Sequence, residues 1–114
     1  MKIRAFKNKE EMYLIKVYGQ LDLYTSNQLK ELIMRMIKMK IERFIIDMGD
    51  VEGINSSGIG AIIYISSTIK KMGFSLAIIN IKNEVESVMK LTKLSNYFPL
   101  SPSLKDAVKT IRGL

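Results

Sequence analysis

The chain has no histidine and no cysteine among its 114 residues. Without histidine there is no Ser-His-Asp triad and no ordinary general base near neutral pH. Without cysteine there is no disulfide framework and no thiolate chemistry. A zinc site would have to be all carboxylate, which zinc disfavours. No paired-carboxylate spacing presents itself either, so the chain reads as a non-enzyme with no metal and no other cofactor. Long apolar runs are also missing. None approaches the roughly 18 residues that cross a bilayer, so no membrane span is expected. The N-terminal stretch Met1-Lys2-Ile3-Arg4-Ala5-Phe6-Lys7 places charges where an export signal needs its apolar core. The chain therefore reads as cytoplasmic, and the glycosylation sequon Asn55-Ser56-Ser57 reads as chance.

What is present is an ordinary globular composition, 47% hydrophobic and 25% charged. The length suits one domain over residues 1–114, large enough to bury a core. The net charge is +7, and it is unevenly spread. Residues 41–60 hold one base and four acids, whereas every other part of the chain has an excess of bases. No nucleic-acid reading motif and no aromatic platform accompanies the bases, so no direct nucleic-acid contact is expected. The basic faces are solvated surface, or they meet an acidic partner or an anionic membrane.

Along the chain, residues 2–7 and 12–18 read as strands joined by a turn at Asn8-Lys9-Glu10-Glu11. Gly19-Gln20-Leu21-Asp22 ends the second strand. Thr25 with Gln28 has the form of a capping box, opening a helix whose buried stripe is Leu29, Leu32, Ile33, Met36 and Ile37. Arg43 to Met48 reads as a central strand. A helix over about 57–72 follows, its first two turns nearly enclosed, with Gly73 stopping it. Phe74 to Ile79 is a further strand. Asn83 with Glu86 caps a third helix, with Val85, Val88, Met89 and Thr92 inward and its end at Leu94-Ser95-Asn96. Tyr97 to Leu100 reads as a short strand or extended turn. Ser103 with Asp106 caps a last helix with the stripe Leu104, Ala107, Val108 and Ile111. The order β-β-α-β-α-β-α-(β)-α implies an α/β fold, a single mixed sheet of four to five strands covered by about four helices.

The stretch between the central strand and the second helix, Val51 to Gly60, concentrates two hydroxyls, a carboxamide and three glycines. Such a joint places side-chain oxygens at a helix N-terminus, where backbone N–H groups are unpaired. On the residues alone, Asn55 and Ser56 are helix caps or a functional site, and Asp22 is a cap or a functional acid. Gly58 and Gly60 fit a close approach by another backbone, or packing alone. The acidic surroundings argue against electrostatic capture of a free phosphate there.

Asn55-Ser56-Ser57-Gly58-Ile59-Gly60, between a strand and an apolar helix, resembles the Asp-Ser-(Ser/Thr)-Gly-(Leu/Ile)-Gly signature of STAS-domain proteins. Within them it looks most like the bacterial anti-sigma factor antagonists, or anti-anti-sigma factors. Gly19-Gln20-Leu21-Asp22 resembles that family's Gly-(Glu/Asp)-(Leu/Ile)-Asp, and Lys90-Leu91-Thr92-Lys93-Leu94 resembles its stretch before the last strand. The resemblance spans essentially the whole chain and implies a STAS fold.

It also implies a switch. The unphosphorylated antagonist binds a partner that is both anti-sigma factor and serine kinase, and so frees the sigma factor. Phosphorylation, at the position matching Ser56, ends that binding, and a serine phosphatase reverses it. The implied partner-binding residues are Asp22, Asn55, Ser56, Ser57 and Gly58, on a monomer or weak dimer. A phosphate near Asp22, Asp47, Asp50 and Glu52 would deepen an acidic patch. Asn55 stands where the family usually has Asp. Asn caps a helix as well as Asp does, so the difference bears on recognition by a kinase and not on the fold. The second reading of the same surface is a non-phosphorylated scaffold or ligand-binding STAS module in a signalling or lipid-transport assembly.

Overall fold

A computed structural model describes residues 3–91 and 98–113. Its elements are β1 (Ile3–Lys7), β2 (Tyr13–Leu21), α1 (Leu23–Lys38), β3 (Arg43–Ile54), α2 (Ser56–Lys71), β4 (Ser75–Ile79), α3 (Asn83–Leu91), β5 (Leu100–Ser101) and α4 (Leu104–Arg112). They form one five-stranded sheet in the order β1-β2-β3-β4-β5. Strand β1 runs antiparallel to β2, and the remaining pairs are parallel. This is the mixed sheet with four helices that the sequence implies.

Each parallel crossover advances one strand in the same direction, so right-handed connections put α1, α2 and α3 on one face. There Leu29, Ile33, Ile62, Ile65, Ile69, Val85 and Met89 close over Ile15, Val17, Phe44, Ile46 and Ile78. On the other face Ala107 and Ile111 of α4 cover Met12, Ile45, Ala77 and Ile79. The alternation along β3 and β4 is the period of two of a strand covered on both sides.

Several local expectations are corrected. Helix α1 begins earlier than Thr25, with Asp22 as its cap, and Thr25 is buried inside the first turn. Strand β3 continues six residues past Met48, through the glycines and acids that looked like a loop. The register slips between Lys16 and Tyr18 and again between Gly19 and Gln20, so β3 absorbs extra residues as bulges. Beyond Asp47 it pairs with β2 only, which lets Asp50 and Glu52 face solvent. Finally, α2 is not enclosed: Ile63 and Tyr64 are exposed. Helix α3 begins at Asn83. Val88 is half-buried beside buried Val85 and Met89, whereas Leu104 is exposed and leaves the α4 stripe. Ser103 does cap α4, its hydroxyl accepting from the Asp106 N–H at 3.3 Å. Thr92, the helix end at Leu94-Ser95-Asn96 and Tyr97 lie outside the described residues.

Helices α1 and α2 end alike. Lys40 and Gly73 follow the two C-caps with φ of 67° and 76°. The Lys40 and Ile41 N–H groups donate to the carbonyls of Ile37 and Met36 at 3.0 and 3.1 Å. Those of Gly73 and Phe74 donate to the carbonyls of Lys70 and Ile69, both at 3.0 Å. These are two Schellman motifs, one of which forces a lysine into the left-handed region. Lys40→Gly is expected to raise stability by about 0.5–1 kcal/mol, measured by urea denaturation.

The end of α4 is clasped to the β1–β2 turn. Arg112 Nε donates to Glu10 Oε2 at 2.9 Å, and Nη2 donates to Oε1. The guanidinium holds the Glu10 carboxyl below its ordinary 4.5 and is itself raised by the pairing. A carboxyl lowered on folding adds stability that is complete above its unfolded value and disappears as pH falls through the folded one. The difference in melting temperature between wild type and Arg112→Ala is therefore expected at neutral pH and absent at about pH 2.

Candidate functional site

Strands β2 and β3 end side by side, Leu21 in register with Ile54, and each is followed at once by a helix cap. The Asp22 carboxylate accepts from the Thr25 N–H at 3.0 Å. The Asn55 side-chain oxygen accepts from the Gly58 N–H at 3.1 Å. The two caps thus occupy adjacent positions at the carboxyl edge of the sheet, and α1 and α2 leave from them with their N-termini together. The Asn55 N–H reaches back to the Leu21 carbonyl at 3.4 Å, which fixes the second cap against the first strand.

Gly58 is what lets the two elements meet. A Cβ at that position would lie 2.4 Å from the Leu21 carbonyl oxygen and 2.6 Å from Ile54 Cγ1. Gly60, by contrast, has nothing within 4 Å of a Cβ. Of the two glycines, only Gly58 is required by close approach.

Ser56 is the first residue of α2 and is exposed, as is Asn55; Ser57 and Asp22 are half-buried. The Ser56 hydroxyl makes no hydrogen bond among the described residues, so the side chain is available to an outside group. The five residues Asp22, Asn55, Ser56, Ser57 and Gly58 therefore lie on two adjoining helix starts. Helix N-termini carry partial positive charge, which moderates an anion placed there. The fixed charges nearby have the opposite sign. Glu52 is exposed without an ion-pair partner among the described residues, and Asp50 meets Lys16 at 3.8 Å.

Asp47 does not belong to this group. It is buried and accepts from the Gly49 N–H at 2.9 Å and the Asn80 side-chain amide at 3.1 Å. Its neighbours Ile45 and Ile79 lie in the core under α4, and its burial, not its face of the sheet, sets it apart from exposed Asp50 and Glu52. Of these acids only Asp22 stands at the helix starts, while Asp50 and Glu52 are exposed positions of β3 further back along the strand.

One feature of the site goes beyond the sequence reading. Leu23 and Tyr24, on the first turn of α1, are 61% and 67% exposed and form an apolar rim beside Asp22. The signal was available: the buried stripe Leu29, Ile33 and Met36 projects back onto Thr25 and Ser26, leaving Leu23 and Tyr24 out of phase on the solvent side.

Known proteins share this fold. The sequence model of the STAS domain matches residues 4–107. The structure superposes on TM1081 of Thermotoga maritima with a TM-score of 0.88 at 19% identity, covering 96% of this chain and 94% of that one. An anti-sigma factor antagonist from Mycobacterium paratuberculosis gives 0.82 at 22% identity, over 96% and 94% of the two chains. The Bacillus anti-sigma factor antagonist SpoIIAA in its unphosphorylated form gives 0.77 at 16% identity, over 98% and 99%. SpoIIAA is similar in its phosphorylated form too, at 0.73. At these identities the likeness of structures shows the fold, and it is the sequence match from residue 4 to residue 107 that establishes kinship: the chain belongs to the STAS domain family.

Proposed function

We propose that this chain is an anti-sigma factor antagonist switched by phosphorylation of Ser56. In its unphosphorylated form it binds a protein that is both anti-sigma factor and serine kinase, and so frees the sigma factor. The kinase transfers the terminal phosphoryl group of ATP to Ser56 Oγ, the hydroxyl proton leaves to a base of the kinase, and the phosphorylated antagonist is released. A serine phosphatase restores it. The observation that carries this reading is the placement of Ser56: exposed, without a hydrogen bond from its hydroxyl among the described residues, first in α2, and next to the α1 start that Asp22 caps. Binding falls to Asp22, Asn55, Ser56, Ser57 and Gly58, with the Leu23–Tyr24 rim as an apolar anchor of the kind that dominates interface energetics.

Incubation with a histidine-kinase-like ATPase that binds the chain, and with ATP, tests this directly. Mass spectrometry is expected to map one phosphate to Ser56 and none in Ser56→Ala. Asn55 favours a second reading, since the fold uses its amide only as a cap and the acid usual before the serine is missing. In that reading the same surface serves a scaffold with no phosphorylation cycle. Stable binding without phosphate on Ser56 would select it.

A further inference from the structure

The pole opposite Ser56 carries a second unusual surface. Helices α1 and α2 start at the carboxyl edge of the sheet and therefore end at its amino edge. The loops that follow them are tied together by the Ser75 N–H, which donates to the Glu42 carbonyl at 2.9 Å. Both helices close with the Schellman geometry described above, and in both the C-cap is a methionine. Met39 is 72% exposed and Met72 49%. Lys38 and Lys40 flank the first, and Lys70 and Lys71 precede the second. All four lysines are exposed, and among the described residues none pairs with a carboxylate. Glu42 is the one acid on these two loops. On the neighbouring β1–β2 turn, Glu10 and Glu11 are engaged by Arg112 and Lys7.

Lysines in a last helical turn complement the helix dipole, which accounts for Lys38, Lys70 and Lys71. It does not account for a pair of exposed methionines at adjacent helix ends. Nor does it account for a lysine at position 40, where the left-handed backbone favours glycine.

We infer that this pole docks reversibly on an anionic lipid surface. The methionine side chains enter the headgroup boundary, and the lysines face the lipid phosphates. Four of the five exposed bases at these two helix ends are lysines, Arg35 being the fifth, which agrees with a lipid target. Lysine is a flexible point charge that needs no fixed partner geometry, whereas arginine's planar fork suits an acidic protein site of defined shape. Docking would turn the Ser56 pole away from the membrane and leave it open to a protein partner. The inference stands on these lysines and methionines and does not depend on phosphorylation of Ser56.

Flotation with phosphatidylcholine vesicles containing about one third phosphatidylglycerol tests it. The wild-type chain is expected to float with these vesicles at low salt, not with pure phosphatidylcholine, and not in about 0.5 M salt. Each lysine contributes about a fivefold factor, so the combined Lys38→Gln, Lys40→Gln, Lys70→Gln and Lys71→Gln variant is expected to lose at least about a hundredfold. Met39→Ser with Met72→Ser should lose several-fold. Lys105→Gln with Lys109→Gln, on α4 across the sheet, should bind as wild type. Lys40→Gly, expected to stabilise the fold, supplies a folded single variant with about a fivefold loss. Absence of flotation overturns the inference, as does equal binding by the pole variants. Equal loss in the α4 variant would reduce the effect to net charge and also overturn it. Capture by immobilised poly-glutamate without flotation would assign the pole to an acidic protein instead.

Discussion

Gly58→Ala is expected to cost about 3 kcal/mol of stability and to lower the melting temperature by about 10 °C. The added methyl would meet the Leu21 carbonyl oxygen at 2.4 Å and Ile54 Cγ1 at 2.6 Å. Neither neighbour yields easily. The carbonyl is main chain at the end of β2, hydrogen-bonded to the Asn55 N–H, and Ile54 is held by the strand register. Relief requires the first turn of α2 to back away from β2, which pulls Asn55 off its hydrogen bond to that carbonyl. Gly60→Ala provides the contrast. Its Cβ meets nothing within 4 Å, so the helix propensity of alanine is expected to raise stability by about 0.5–1 kcal/mol. Urea denaturation of the two variants side by side distinguishes close approach from helix propensity. Equal shifts of the same sign would contradict this description of the joint.

The second large effect concerns charge at Ser56. A phosphoserine adds about −1.5 to −2 charges and three acceptor oxygens. At the first residue of α2 the fold tolerates it, because the dipole and the N–H groups of the helix start favour an anion. The melting temperature of the phosphorylated chain is therefore expected within about 5 °C of the unmodified one, with unchanged circular dichroism. On a partner the effect is the opposite. The Asp22 carboxylate already caps the adjoining helix start, and a surface complementary to a serine hydroxyl must now desolvate a dianion. Loss of roughly 100-fold in affinity, about 2.8 kcal/mol, is expected. Bulk contributes as well, since Leu23 and Tyr24 stand beside the same two helix starts.

Much of this was legible in the chain. The alternation of strands and helices, the Ser103 cap, the stop at Gly73 and the buried stripe of α1 follow from periodicity and capping chemistry. The serine-bearing joint stood out because its polarity interrupts two apolar elements. What misled was local composition read without pairing. Gly49, Asp50, Glu52 and Gly53 look like a loop, yet they extend β3, because bulges absorb the surplus residues and one side of that extension has no neighbouring strand. Thr25 fits a capping box, yet Asp22 caps the helix, because β2 ends at Leu21 and leaves no residues for a loop. Asp47 counted toward an acidic patch, yet the fold buries it and pairs it with the Gly49 N–H and the Asn80 amide. The difference between Gly58 and Gly60 is invisible in sequence, since it depends on where the Leu21 carbonyl lies.

The central claim is that Ser56 gates a protein contact without altering the fold. The most direct test titrates an anti-sigma factor kinase that binds this chain, in its nucleotide-bound state, with two forms of the chain: unmodified, and phosphorylated at Ser56. The account predicts a dissociation constant roughly 100-fold weaker for the phosphorylated form, with matching circular dichroism spectra. Equal affinities for the two folded forms would contradict it.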